Sequence, residues 1–180
     1  MRFKTKCSLI KIETSNQQRG EEMSDKTICA ANKKIVFGDD FKTRAEINEL
    51  FGLSKGAGTM QGGAPLKKVG RNEIIWWPNE PAPKSPWVNT KVKFGPNADS
   101  RGYDEVLEIT EENKDPVENE KHIKKIIDKL ELHTRHVFWH EQRKNVCWYK
   151  YYGTFVLDLE KTKASNKCWY NRAATEVALD

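Results

Sequence analysis

No stretch of this chain is long and apolar enough to serve as a signal peptide or to cross a membrane. The N-terminus, MRFKTKCSLIKIETSNQQRGEEM, is basic but polar, and no segment approaches the roughly 18 apolar residues that a span requires. A cytoplasmic protein without membrane contact is expected. Close cysteine pairs are also missing. Cys7, Cys29, Cys147 and Cys168 are far apart with no CxxC, which excludes the usual zinc and disulfide frameworks and reads as free thiols in a reducing compartment. No HExxH occurs, and on a strand His136 and His140 would lie about 13 Å apart, too far to share a metal. The glycines of KGAGTMQGGAPL are not followed by GK[ST], so they form no phosphate loop. No cofactor is expected.

What is present is charge and aromatic surface. Charged residues make up 32% of the 180 positions and hydrophobic ones 37%, yet there are six Trp, seven Phe and five Tyr. A chain of this length buries a core as one domain, and here aromatics must supply much of it. The net charge of +5 is a basic excess on a mixed surface, which permits nucleic-acid binding without proving it.

Residues 1–32 lack periodicity and read as a mobile extension, with Met23 as an alternative start. The compact domain is expected over 33–162, and residues 163–180, TKASNKCWYNRAATEVALD from Thr162 on, as a C-terminal tail that docks through Trp169 and Tyr170. Ile35 to Phe37 reads as a brief strand. Thr43 and Glu46 form a capping box, Ile47, Leu50 and Phe51 share a face, and Gly52 stops the helix, which gives a helix near 43–51. The phrase AEINELFGLS looks like half of a helix-turn-helix, but four glycines follow where the recognition helix belongs, each costing ~1 kcal/mol in a helix interior. NEIIWWP reads as a strand closed by Pro78, NEPAPKSP as an extended connection carrying Trp87, and Tyr103 to Ile109 as a strand, with a shorter one at Val92 and Phe94.

A second helix is clearer. Asp115 caps, Pro116 takes the first position, and Ile123, Ile126, Ile127 and Leu130 follow at i, i+3, i+4 and i+7, giving a helix near 116–131. Lys121, Lys124, Lys125 and Lys129 read as its solvated face, since Glu120 and Asp128 are mixed among them. Two β-runs joined by EQRKN come next, RHVFWH and NVCWYKYYGTFVLDL. Odd positions of the second run (Tyr149, Tyr151, Phe155, Leu157) make the natural core face, and Gly153 interrupts it as a bulge or bend would.

A helix, a VFWH strand (137–140), a polar turn and a long strand with YYGTFVL (151–157) resemble the PUA-like family, with its EVE, YTH and SRA-type branches, over about residues 70–160. The resemblance implies an α+β fold, a small PUA-like β-barrel with two flanking helices, and a nucleic-acid reader that takes a modified base into an aromatic pocket. Trp76, Trp77, Trp87, Trp139, Trp148 and Tyr152 are candidate walls, with Asn89 and Asp104 to read a base edge. Lys55, Lys91, Lys93, Arg101, Arg135 and Lys150 are candidate phosphate contacts. Neighbouring strand residues point to opposite faces, so one of Trp76 and Trp77 should be exposed unless both sheet faces are covered; Trp87 would act as a lid.

The expected function is non-catalytic nucleic-acid binding, with DNA slightly preferred over RNA and a partner enzyme in a defence or modification system. Two alternatives stand beside it. Asp99, Asp104, Glu112 and Lys114 offer a loose magnesium set for a nuclease, and a protein-binding accessory module would expose an apolar patch.

Overall fold

The computed structural model describes residues 34–58, 63–78, 83–93, 106–143 and 146–179. The proposed N-terminal extension, including Cys7 and Cys29, lies outside them, as do Asp99, Arg101 and Asp104. The elements run β1 (Lys34–Val36), β2 (Asp40–Phe41), α1 (Arg44–Leu50), β3 (Ala64–Pro65), β4 (Ile74–Trp76), β5 (Trp87–Lys93), β6 (Val106–Asn113), α2 (Pro116–Asp128), β7 (Thr134–Arg143), β8 (Val146–Leu157), α3 (Leu159–Lys163), β9 (Cys168–Ala174) and β10 (Glu176–Ala178).

Seven strands form one path in the order β3-β4-β7-β8-β9-β6-β5, and β2 pairs with β8 off this path. β4 runs parallel to β7, the other pairings are antiparallel, and β1 with β10 makes a separate ribbon. Register shifts at Val92/Lys93, Val137/Phe138 and Thr154/Phe155 bend the sheet into a half-barrel, because each bulge adds local twist. Among the described residues the path runs from β3 to β5 as a curled half-barrel, in keeping with a small α+β PUA-like fold.

The curl packs a core on each side. One contains Ile35, Phe41, Ile47, Leu66, Phe138 and Tyr151 under α1. The other, inside the curl, contains Ile109, Ile126, Trp139, Tyr152, Phe155 and Tyr170. This answers the question of Trp76 and Trp77. They do point to opposite faces, but both faces are covered, and each indole is only 3% exposed. The expectation of one exposed wall there is corrected: β4, pinned between β3 and β7, has no wet side.

Gly153 explains the second correction. Val137 pairs with Gly153 and Phe138 with Tyr151, so Tyr152 is the extra residue of a bulge. Parity flips there: Phe155 and Leu157 face the curl, Tyr152 also does, and Tyr151 turns to the other core. Gly153 takes φ = 118°, and a Cβ at this position would meet the Ala174 carbonyl oxygen at 2.5 Å. Only glycine fits without strain.

The two expected helices form through their own local signals. Thr43 Oγ1 accepts from the Glu46 amide at 3.1 Å, and Glu46 Oε2 accepts from the Lys42 amide at 3.0 Å. Asp115 Oδ1 accepts from the amides of Val117 and Glu118 at 2.9 and 3.1 Å. α2 buries Ile126 and packs Ile123 against the inner core, but it stops at Asp128, and Leu130 lies past its end, 73% exposed. His133 Nε2 lies 2.9 and 3.2 Å from the Ile126 and Ile127 carbonyls and donates there, ending the helix.

The C-terminal residues differ most from expectation. Residues 168–174 are not a docked tail but a strand between β8 and β6, near the middle of the sheet. A third helix, α3, was also unforeseen; Asp158 caps it by accepting from the Lys161 amide at 2.9 Å. Trp87 opens β5 rather than sitting in a loop. No helix among the described residues is long and apolar enough to cross a membrane.

Candidate nucleic-acid interface

Inside the curl, β5 lies on the edge and faces Trp87, Asn89 and Lys91 the same way, two residues apart. Their partners on β6 are Asn113, Glu111 and Ile109. Two arrangements of cation and aromatic are completed by these strands against β4, β7, β8 and β9, one in the core and one at the rim.

The sealed one is the floor. Arg135 Nη1 meets Glu111 Oε2 at 2.9 Å, with the two side chains 4% and 5% exposed. The guanidinium lies 4.3 Å from the Trp76 ring and 4.1 Å from that of Tyr170. His122 Nε2 donates to the same Glu111 oxygen at 3.0 Å, and its ring abuts Trp87 edge-on at 4.5 Å. Burial pushes the Glu111 carboxyl up, but the charge of Arg135 and the contact with His122 more than offset it and hold the carboxyl below its ordinary value. Arg135 is therefore corrected from a phosphate contact to a buried structural cation.

Glu111, His122 and Cys168 bring their ligand atoms within 4.8 Å of one another. They make a poor metal site. The carboxylate is already bound by a guanidinium, and burial pushes the Cys168 thiol up to about 12, so it stays protonated near neutral pH.

The rim is built from Lys91, Trp139, Tyr152 and Glu141. The Lys91 ammonium lies 4.6 Å from the Trp139 ring and 5.1 Å from the Tyr152 ring, and 3.4 Å from the Tyr152 hydroxyl. That hydroxyl donates to Glu141 Oε1 at 2.9 Å. Trp139 and Tyr152 are fully buried; part of their cover is the side chain of a lysine on an edge strand. Beside Lys91, the Asn89 amide oxygen is buried and has no hydrogen-bond partner among the described residues. An unpaired acceptor inside a protein is costly, so it marks a place where a ligand donor would be gained.

The other sequence candidates are scattered. Trp148 is partly exposed with Lys42 over its ring at 5.7 Å, and Lys150 pairs in register with Asp40. Lys55 is exposed beyond α1, on the other side of the sheet, and pairs with Glu49 at 3.2 Å. The side chain of Lys93 lies outside the described residues. Of the loose nuclease set, Glu112 is held by Lys167 at 3.0 Å and Lys114 donates to the Pro83 carbonyl at 3.3 Å. Sequence reasoning missed Glu111, His122 and Glu141, since cross-strand register and the packing of α2 on β6 bring them to their partners. It also missed a relay behind the sheet: Tyr151 bonds Thr154 (3.0 Å), Thr154 bonds His136 Nδ1 (3.0 Å), and His136 Nε2 bonds Glu73 (2.9 Å). His136 is 1% exposed, which makes this a structural tie between β7, β8 and the segment before β4.

Comparison with known proteins gives the fold a family. No curated protein sequence matches the chain significantly. Among solved structures, "The 5-Hydroxymethylcytosine-Specific Restriction Enzyme AbaSI" is similar, with a TM-score of 0.60 and 21% identity over 82% of this chain. This chain spans 42% of that one. The model of the SET and RING associated domain matches residues 10–179, which takes in β9, β10 and part of the segment before residue 34. The protein thus belongs to the SRA (SET and RING associated) domain family, a PUA-like fold that binds DNA and modified bases.

Proposed function

We propose that this domain reads a modified cytosine in DNA, in preference to RNA, by taking the flipped base against Trp139 and Tyr152 at the rim of the curl. The observation that carries the reading is the buried, unpaired oxygen of Asn89 next to a lysine that covers two aromatic rings. Cytosine presents an amino donor and two acceptors on its pairing edge. Asn89 and Glu141 supply acceptors for the amine, and Lys91 supplies a donor for the ring acceptors.

Magnitudes permit the exchange. A cation over a ring is worth ~0.5–2 kcal/mol and a stacked base ~1–3 kcal/mol. The two ranges overlap, so exchange of the Lys91 ammonium for a base over these rings is close to balanced, and the displaced ammonium, which also gives up its 3.4 Å contact with the Tyr152 hydroxyl, takes a role on the base edge or a phosphate. Reading needs no metal, and the domain would deliver a separate catalytic unit to its site, as a module within a longer protein or with a partner in a defence or modification system.

The test is binding of duplexes with cytosine, 5-methylcytosine or 5-hydroxymethylcytosine at one position, without divalent ions. Tight, salt-sensitive binding that prefers a modified duplex is expected, with Asn89→Ala and Lys91→Ala each losing about tenfold, which corresponds to ~1.4 kcal/mol. Wild-type affinity in both variants would overturn this site. Magnesium-dependent cleavage by the purified chain would replace the reader with the nuclease.

A further inference from the structure

One tryptophan on the face of the base site takes no part in it. Trp139 pairs with Lys150 and Glu141 with Trp148, and residues directly opposite each other in antiparallel strands share a face. The face that carries the Trp139 ring therefore continues to Trp148 on β8. Trp148 and Tyr152 lie about 13 Å apart along the strand, at ~3.3 Å per residue. Their side chains come closer than that, because the Tyr152 hydroxyl reaches back to Glu141 Oε1 at 2.9 Å. Glu141 is the residue opposite Trp148, and such pairs hold their Cβ atoms about 4.5–5.5 Å apart.

Trp76, Trp77 and Trp139 are buried, whereas Trp148 is partly exposed. Trp87 and Trp169 are partly exposed too, but each is engaged. The Trp87 ring meets His122 edge-on at 4.5 Å, and the Trp169 indole donates to Ser165 at 2.9 Å with the Lys161 ammonium 3.7 Å from its ring. The Lys42 ammonium stands 5.7 Å from the Trp148 ring, near the ~6 Å limit of a cation–ring contact. The backbone beneath the indole is held from behind. Asp40 pairs with Lys150 and Phe41 with Tyr149, and Phe41 is buried in the core under α1 with Tyr149 packed against it. Charges of both signs surround the ring, from Asp40, Lys42, Glu141 and Lys150, so a ligand would be held here by the indole and not by net charge.

We infer that Trp148 is a stacking platform for the base next to the flipped cytosine on the same strand. The inference rests on the reading of the base site given above. A nucleotide beside a flipped one has already lost one stacking partner, so its base gains by meeting an indole that lies next to the pocket. Every base has a π-face, so this contact adds affinity without selecting the flanking sequence. Recognition of the modification stays with Asn89, Lys91 and Glu141.

The experiment uses the full chain without divalent ions and the duplex the wild type prefers, with one 5-methylcytosine or 5-hydroxymethylcytosine. An abasic nucleotide is placed at each flanking position in turn. Trp148→Ala should weaken binding to the intact duplex about tenfold, which corresponds to ~1.4 kcal/mol and lies within the range for one stacked base. The salt slope should not change, because no phosphate contact is lost. Trp148→Phe keeps an aromatic face and should recover most of the affinity. An abasic nucleotide at one flanking position should weaken the wild type by a similar factor and have no further effect on Trp148→Ala, since the two changes remove the two halves of one contact. Wild-type affinity in Trp148→Ala, or losses that add independently at both flanking positions, overturns the platform; with the preference for the modified duplex intact, the base site stands. Loss of that preference in Trp148→Ala overturns the platform as well, by making Trp148 part of the first pocket.

Discussion

The floor and the rim of the curl use the same ingredients and behave oppositely. Arg135 lies between Trp76 and Tyr170, and Lys91 lies over Trp139 and Tyr152, each at 4 to 5 Å from its rings. The arginine is 4% exposed and bound to a carboxylate that is itself buried. The lysine comes from an edge strand and has a flexible stem. A cation beside tryptophan therefore does not mark a binding site. What distinguishes the two is placement: Arg135 is bound to a carboxylate buried in the core, while Lys91 reaches its rings from an edge strand.

The largest break of this comparison is Arg135→Ala. Removing one partner of a buried pair should cost ~3–5 kcal/mol in chemical denaturation, whereas Lys91→Ala should cost the smaller ~0.5–2 kcal/mol of a cation–ring contact and act mainly on DNA binding. A small effect at Arg135 would mean that the floor is as yielding as the rim. Gly153→Ala comes next, at ~1–3 kcal/mol, through backbone strain at positive φ and collision with Ala174.

Acid should act through two carboxyls, Glu111 in the floor and Glu73 in the His136 relay. Glu111 and Glu73 both have carboxyls held below the ordinary 4.5, Glu73 chiefly by its hydrogen bond to His136. Folded values below unfolded ones mean stability that is complete above pH 4.5 and lost as the pH falls through the folded values. Denaturation midpoints should be flat from pH 7 to about 5 and then drop. In Glu111→Gln the drop should be shallower, from a lower plateau. The smallest effect is Asp115→Ala at the start of α2, ~1 kcal/mol for a lost cap, with binding unaffected.

Much of the local structure was legible. Thr43 and Asp115 announced their helices because a cap is a bond between residues three apart, visible in any window of sequence. The PUA-like resemblance rested on VFWH and YYGTFVL, and these sit on the paired strands β7 and β8. The C-terminal strand was not legible. CWYNRAA shows little alternation in sequence because only Cys168 and Tyr170 are buried, and Trp169 on the opposite face is a large aromatic that lies under Lys161 of α3 at 3.7 Å. Tyr152 was a candidate wall and Lys91 a candidate phosphate contact, but nothing in the sequence joined them or pointed to Glu141, and Arg135 was placed among the phosphate contacts.

Sequence alone determined which residues could stack, pair or cap, and where glycine had to break a strand, since these depend on side-chain chemistry and on neighbours within a few positions. Only the tertiary structure decided which aromatic pair lies against a buried ion pair and which lies under a lysine from an edge strand. That depends on register across β5, β6 and β8 and on a core packed against each side of the sheet, and both are set by contacts between residues far apart in the chain.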